Sequence, residues 1–154
     1  MALDVSETTI DHMARECVGN QLRLVSRVVT GVYERELRPL KLTPSQMIIL
    51  ALTAREGQIR SVELSRSLQM DASTVSRNVE RMRARGWLTQ VPGQDERSRP
   101  FRLTAAGRKM LCDANAAWEK AQAQAVDFVG KDGVSLLRRL SAGLMDLTAG
   151  IPPD

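Results

Sequence analysis

Side chains that can bond nucleic acid recur on one face of a predicted helix between Asp71 and Arg85. Three apolar residues follow one another at intervals of four and three positions, and therefore share a face that we expect to be buried: Val75, Val79 and Met82. The opposite half carries two small hydroxyls and two arginines: Ser73, Thr74, Arg77 and Arg81. Small residues allow a close approach to a major groove, and arginine can bond a guanine edge or a phosphate. An ordinary amphipathic surface helix has the same pattern, so this helix alone leaves DNA binding open.

More arginines stand in the stretch GWLTQVPGQDERSRPFRLT, from Gly86 to Thr104. Two short apolar runs flank a polar centre that contains turn residues, which predicts a two-stranded β-hairpin. Its tip holds four charged residues: Asp95, Glu96, Arg97 and Arg99. A ribbon beside a groove-filling helix would carry such a tip to the neighbouring minor groove, whose negative potential attracts arginine. We therefore predict a DNA-binding wing, in which Asp95 bonds turn amides or braces an arginine and Pro100 lies on an edge strand.

The segment that positions the helix face is predicted to be a helix-turn-helix. Ser61 is a suitable N-cap for a short helix that ends at Leu68, and Asp71 is a suitable N-cap for the helix that follows and ends at Gly86. A turn of only a few residues joins the two helices, which is the arrangement of DNA-binding helix pairs.

Two helices are predicted before this pair. Apolar residues at roughly helical spacing extend the first from about Thr9 to Arg38, where Pro39 stops it. The second begins with the sequence TPSQ, in which threonine is a good N-cap, proline suits the first helical position and glutamine completes a capping box. It ends near Gly57.

Two further helices follow the hairpin, one from about Ala105 to Val129 and one that begins at Asp132. Apolar residues recur along both at intervals of three and four, as in helices that pack on other helices. A second copy of the chain is expected to cover them, and a two-fold axis would place two reading helices about 34–36 Å apart. The residues assigned to this dimer seam are Leu111, Trp118, Leu137, Leu144 and Leu147. The alternative is an intramolecular three-helix bundle.

The charge distribution is that of a polyanion-binding centre with non-binding flanks. The chain of 154 residues has a net charge of +4, yet eleven Arg and Lys stand against five Asp and Glu between Arg60 and Lys109, and the remainder is slightly acidic. A solvated charged face would give the same count, so charge alone does not decide between the two.

Four segments resemble, in their order and spacing, the MarR (multiple-antibiotic-resistance regulator) family of winged-helix transcription factors: LTPSQMIIL, VELSRSLQMDASTVSRNVERMRARGWL, DERSR and LTAAG. The resemblance covers nearly the whole chain from about Cys17. It implies a homodimeric DNA-binding regulator, usually a repressor, that leaves its operator on binding a small, often aromatic molecule or on cysteine oxidation. The positions that match the family's recognition helix are Ser73, Thr74, Ser76, Arg77, Asn78 and Arg81. Those that match its wing are Asp95, Arg97, Ser98 and Arg99.

The expected fold class is mainly α: a winged helix-turn-helix with a two-stranded β wing, flanked by N- and C-terminal helices. Residues 1–40 form an N-terminal dimerisation helix, residues 41–104 the DNA-binding region and residues 105–154 the C-terminal dimerisation helices. The expected partners are double-stranded DNA with a pseudo-palindromic operator, a second copy of the chain and a small aromatic ligand. Trp87 and Tyr33 could line the pocket of that ligand or equally well belong to the core. A sequence-independent architectural DNA-binding protein is the alternative.

Other classes of function find little support in the sequence. Phosphate-binding loops, metal-spaced Cys/His clusters and paired catalytic carboxylates are absent from the sequence, so we expect neither an enzyme nor a cofactor or metal. The longest apolar run, Met47–Leu52, is too short to span a membrane, and the N-terminus does not have the pattern of a secretory signal. Two cysteines do not make a disulfide framework, which indicates a reducing cytoplasm.

Cys17 is the candidate for redox sensing, because some redox-sensing members of the family carry a reactive thiol on the first helix. It also lies on the apolar stripe, where a free cysteine commonly packs as a small hydrophobe. Cys112 lies early in the fifth helix and fits a disulfide switch poorly. His12, the single histidine, forms no site with Cys17, because side chains five positions apart do not share a helix face well.

Overall fold

The computed structural model describes residues 6–92 and 99–148, with the side chains of all but the last four. The helices are α1 (Glu7–Glu16), α2 (Val18–Leu37), α3 (Pro44–Glu56), α4 (Ser61–Leu68), α5 (Ala72–Ala84) and α6 (Ala105–Thr148). A 3-10 turn (Arg38–Leu40) follows α2, and the antiparallel strands are β1 (Leu88–Gln90) and β2 (Phe101–Leu103). The predicted fold class is confirmed.

The first predicted helix is two helices in the structure. Cys17 leaves the helical conformation at φ −64° and ψ 105°, and α2 begins at the next residue. Gln21 Nε2 donates to the Arg15 carbonyl at 2.9 Å and bonds the two helices across the break. The prediction of one helix from Thr9 to Arg38 is therefore wrong at Cys17, because apolar periodicity runs through this position without a sign of the break.

Helix α3 begins with the predicted capping box. The Gln46 amide donates to Thr43 Oγ1 at 3.2 Å, and the Thr43 amide donates to Gln46 Oε1 at 3.3 Å. Its inner face enters the core of the head, as we call residues 41–104. Among the described residues, the largest fully buried side chains are Leu37, Ile49, Leu50, Thr53, Leu64, Val75 and Met82. All but Leu37, the last residue of α2, belong to the head, and the core of the head also takes in Leu37 and Ala114 of α6.

Helices α4 and α5 form the predicted helix pair, but the N-cap of α4 is not the predicted residue. Arg60 is the N-cap of α4, and Ser61 is the first helical residue. The Glu63 carboxylate accepts bonds of 2.8 Å from both the backbone amide and the guanidinium of Arg60. The side-chain bond from Arg60 lowers the pKa of the Glu63 carboxyl. Glu63 thus forms both a capping bond and an ion pair with Arg60, and this favours Arg60 as the N-cap over the predicted Ser61.

The ribbon and α6 meet at a tight junction. Thr104 caps α6, because its Oγ1 accepts from the Gly107 amide at 3.0 Å and donates to the Gly86 carbonyl at 2.5 Å. A Cβ atom at Gly107 would lie 2.1 Å from the Trp87 carbonyl oxygen. Only glycine therefore lets the first turn of α6 lie this close to the ribbon.

Helix α6 bends once, at Gly130, whose φ of 76° and ψ of 160° are not helical. The sequence places the break between Val129 and Asp132, and the structure confines it to this glycine. The left-handed φ is one that other residues adopt only with strain.

Helix α2 packs along the part of α6 that precedes this bend. Ala114, Ala121 and Ala125 are buried on α6. A polar cluster at the side of this contact joins the helices: Lys120 Nζ lies 2.9 Å from Glu36 Oε2, and Gln124 Nε2 donates to Glu36 Oε1 at 3.1 Å. The bond from Lys120, followed by that from Gln124, lowers the pKa of the Glu36 carboxyl.

Candidate nucleic-acid interface

The two faces of α5 differ as the spacing predicts. Val75, Val79 and Met82 are at most 3% exposed and point into the core of the head. The outward residues are Ser73, Ser76, Arg77 and Arg81, which are exposed, and Thr74 and Asn78, which are half-buried. All six predicted residues therefore lie off the buried face, on one helix, where a groove of DNA could reach them.

The polar groups of this face bond within their own helix. Arg77 Nε donates to the Ser73 carbonyl and Nη2 donates to Thr74 Oγ1, each at 3.3 Å. Asn78 Nδ2 donates to the Thr74 carbonyl at 3.0 Å. The two arginine bonds are long and exposed to water, so base or phosphate acceptors can replace them at little cost.

The turn before α5 fixes where this face points. Gln69 adopts a left-handed φ of 50°, and Ser65 Oγ donates to the Met70 carbonyl at 2.5 Å. Asp71 occupies the N-cap position, as predicted, but its side chain makes no capping bond, and its carbonyl accepts from the Thr74 amide at 2.9 Å. Bonds from α4 therefore hold the start of α5 in place of the predicted aspartate cap.

The C-terminal end of α5 has a second attachment, which the sequence analysis missed. Arg85 Nη1 donates to the Lys41 carbonyl at 2.6 Å, and the Arg85 guanidinium carbon lies 4.9 Å from the centre of the Trp87 ring. Trp87 itself is buried in the core of the head. No sequence signal could have paired residues 41 and 85.

The ribbon is described at its base. Thr89 pairs with Arg102, which is exposed, and the Val91 amide donates to the Pro100 carbonyl at 2.8 Å, so the pairing extends from β2 to the proline. Arg99 is half-buried beside it. The other predicted wing residues, Asp95, Arg97 and Ser98, lie outside the described residues.

Comparison with known proteins finds the same arrangement in one family. A model of the MarR family matches residues 40–98. The multiple antibiotic resistance protein MarR of Salmonella typhimurium is 28% identical over 91 residues, 58% of this chain and 63% of that protein. A mutant MarR from E. coli, solved in complex with operator DNA, superposes with a TM-score of 0.74 at 21% identity, over 86% of this chain and 96% of that one. The chain is therefore similar to transcriptional regulators of the MarR family, and the match to the family model covers most of the head.

Two other proteins are similar to this chain. The uncharacterized HTH-type transcriptional regulator YwoH of Bacillus subtilis is 25% identical over 114 residues, which are 73% of this chain and 83% of YwoH. BpsR of Bordetella bronchiseptica, described as regulated in DNA binding by 6-hydroxynicotinic acid, superposes with a TM-score of 0.71 at 24% identity, over 80% of this chain and 92% of BpsR.

The predicted dimer-seam residues fall into two groups by their burial within one protomer. Leu111 is half-buried and packs against the chain's own core. Trp118, Leu137 and Leu144 are between 38% and 49% exposed within one protomer. The side chain of Leu147 lies outside those described. Of the four predicted seam residues whose side chains are described, the protomer itself covers one, Leu111, and leaves the other three exposed.

A groove of about 390 Å³ lies between α2 and the bend of α6. The Tyr33 hydroxyl donates to Gln122 Oε1 at this groove, and burial raises the pKa of the Tyr33 hydroxyl. Val126, Val129 and Leu137 give it apolar walls. Tyr33 thus lines a groove, which is one of the two places that the sequence allowed for it, whereas Trp87 lies in the core.

The remaining candidate groups do not form a site. Cys17 and Cys112 are exposed free thiols, and His12 is exposed. Among the residues with described side chains, no group of three His, Cys, Asp or Glu could hold a metal ion. The described helices include none that is long and apolar enough to cross a membrane.

Proposed function

We propose that this MarR-family protein is a homodimer that binds a pseudo-palindromic operator in double-stranded DNA and represses transcription there. The observation that carries the proposal is the outward face of α5, where hydroxyls and arginines stand opposite a fully buried face. The operator complex of the E. coli MarR mutant, whose fold this chain shares, supports it.

In this proposal α5 is the recognition helix and enters the major groove. The residues that contact DNA there are Ser73, Thr74, Ser76, Arg77, Asn78 and Arg81. The wing enters the adjacent minor groove with Asp95, Arg97, Ser98 and Arg99. The excess of basic residues between Arg60 and Lys109 supplies the attraction to phosphate.

Replacement of Arg77 tests whether α5 reads sequence. The operator is first found by selecting genomic fragments that the protein binds, and affinities are then measured over a salt series against operator and scrambled DNA. We expect Arg77→Ala to cost about 1–3 kcal/mol and to relax base preference at one position of each half-site. Arg77→Lys is the matched control, since it keeps the charge but not the planar fork, and should lose the base preference as well. Equal wild-type affinity for operator and scrambled DNA at matched salt would instead indicate an architectural protein.

The wing is tested by Arg97→Ala in the same salt series. A tip that lies in the minor groove should make this variant bind more weakly to all sequences, most of all to operators with A·T-rich flanks. The slope of log affinity against log salt should fall by about one unit for each contact removed. Arg102→Ala removes the same charge from the base of the ribbon and should change the slope less. An unchanged affinity and slope for Arg97→Ala would show that the tip does not contact DNA.

Control by a small aromatic molecule follows from the groove between α2 and α6. These helices join the dimer region to the heads, so a ligand that fits only one of two head spacings would shift DNA affinity, and operator DNA would shift ligand affinity equally. The regulation of DNA binding by 6-hydroxynicotinic acid in BpsR supports an aromatic acid as the ligand. Thermal-shift screening of such acids, beginning with 6-hydroxynicotinic acid, should find compounds that also lower operator affinity. Compounds that stabilise the protein without changing DNA affinity would contradict this control.

Oxidation of Cys17 is the second form of control that we propose, because its thiol is exposed at the break between α1 and α2. A Cys17→Ser protein should then keep its operator in peroxide, whereas the wild type releases it. Release by both proteins would exclude Cys17.

A further inference from the structure

Arg85 joins the C-terminal end of the recognition helix to two other parts of the head. Its Nη1 donates a bond of 2.6 Å to the backbone oxygen of Lys41, 44 positions earlier in the chain. Its guanidinium carbon lies 4.9 Å from the centre of the Trp87 ring, at the start of the ribbon. One side chain therefore holds together the end of α5, the root of the ribbon and the segment through which α2 enters the head.

That segment, residues 38–42, is called the elbow here. It consists of the 3-10 turn after α2, then Lys41 with a left-handed φ of 54°, then Leu42. A lysine in this conformation is held by its surroundings more than by its own preference, because its Cβ disfavours the left-handed region. The bond from Arg85 to the Lys41 carbonyl is thus one of the contacts that fix the direction of the elbow.

The bonds of Arg85 differ in kind from those of Arg77. The Arg77 guanidinium bonds within its own helix at 3.3 Å, whereas the Arg85 guanidinium bonds across elements at 2.6 Å. A planar guanidinium can stack one face on an indole while its N–H groups donate hydrogen bonds in its plane, so one rigid group makes both contacts. Arg85 is therefore suited to holding two elements at a set angle.

We propose that Arg85 is a positioning residue that fixes the angle between α5 and α2, and through it the half-site spacing that the dimer accepts. The inference rests on the proposed dimeric binding to an operator. The heads of a dimer joined through its helices present their recognition helices at a distance and rotation set by the elbow of each protomer. Each base pair of spacing changes the separation of half-sites by about 3.4 Å and rotates one about the DNA axis, so a looser elbow should tolerate several spacings.

The test measures operator affinity against half-site spacing. Wild-type, Arg85→Ala and Arg83→Ala proteins, each checked as a folded dimer, are titrated with the operator, with operators that have one base pair inserted or deleted at the centre, and with a single half-site. We expect the wild type to bind the altered spacings about tenfold more weakly than the natural one. For Arg85→Ala this ratio should fall to about threefold or less, while affinity for the single half-site and the salt slope stay unchanged.

The other outcomes separate the alternatives. A phosphate contact by Arg85 would weaken binding to every DNA, flatten the salt slope and leave the spacing ratio as in the wild type, which overturns the inference. Arg83→Ala removes the same charge from the same end of α5, so an equal broadening in that variant would also overturn it. Wild-type protein that binds all spacings equally would overturn the proposed operator geometry itself, and this inference with it.

Discussion

A Leu140→Asp protein is expected to be monomeric and to bind the operator about a hundredfold more weakly than the wild type. Leu140 is 52% exposed within one protomer, on the same side of α6 as Leu136 and Leu144. The head should stay folded, because its core lies elsewhere. A carboxylate buried against a second copy costs several kcal/mol, and a loss of about 2.8 kcal/mol already corresponds to a hundredfold change in affinity.

Light scattering at micromolar concentration measures the assembly, and operator titration measures the binding. Ser135→Asp is the matched control, since it places the same carboxylate on the opposite side of the same helix. That control should remain dimeric and bind DNA normally. A dimeric Leu140→Asp protein with normal affinity would show that this side of α6 is not the interface, and a wild-type monomer would contradict the dimer altogether.

A Gly107→Ala protein is expected to lose roughly 3 kcal/mol of folding free energy, at the upper end of the usual cost of overpacking. The added Cβ would meet the Trp87 carbonyl oxygen at 2.1 Å and a Leu103 methyl at 3.2 Å. The carbonyl belongs to the backbone, so α6 must move away from the ribbon as a unit. The melting temperature should fall by about 10 °C.

Gly31→Ala is the control for this substitution. A Cβ at Gly31, within α2, meets nothing within 4 Å, so the alanine should stabilise the protein by up to about 1 kcal/mol through its higher helix propensity. Denaturant unfolding of both variants measures the difference. A Gly107→Ala protein as stable as the wild type would show that the junction is loose enough to absorb a methyl group.

Much of the fold could be predicted because its signals are local. Each of these signals depends on residues within a few positions of one another: the capping box at Thr43, the single buried face of α5 and the apolar runs of the ribbon. The errors occur where two local signals compete or neither is present. Ser61 and Arg60 are both placed to cap α4, and the ion pair with Glu63 decides between them. At Cys17 neither glycine nor proline marks the break.

The site could be predicted less completely than the fold. Helical spacing assigns four residues to the outward face of α5, and the resemblance to the MarR family adds Ser76 and Asn78. The attachment of Arg85 to Lys41 depends on how two distant segments pack, and spacing carries no trace of it. Likewise, the sequence leaves both Trp87 and Tyr33 open between pocket and core, whereas packing places Trp87 in the core and Tyr33 beside the groove.

The exposed leucines beyond Gly130 have a consequence for how stability should be measured. Leu136, Leu137 and Leu140 remain between 42% and 52% exposed in one protomer, whereas the core of the head is complete within the chain. In the proposed dimer a second copy covers these leucines, and mass action then makes the stability of the helical region depend on protein concentration, by about 1.4 kcal/mol for each tenfold change in concentration. Dilution should therefore loosen the end of α6 before it affects the head. The melting temperature of such a dimer must be quoted together with the protein concentration. The ratio of dimer to monomer would also differ between cells that make few copies and cells that make many.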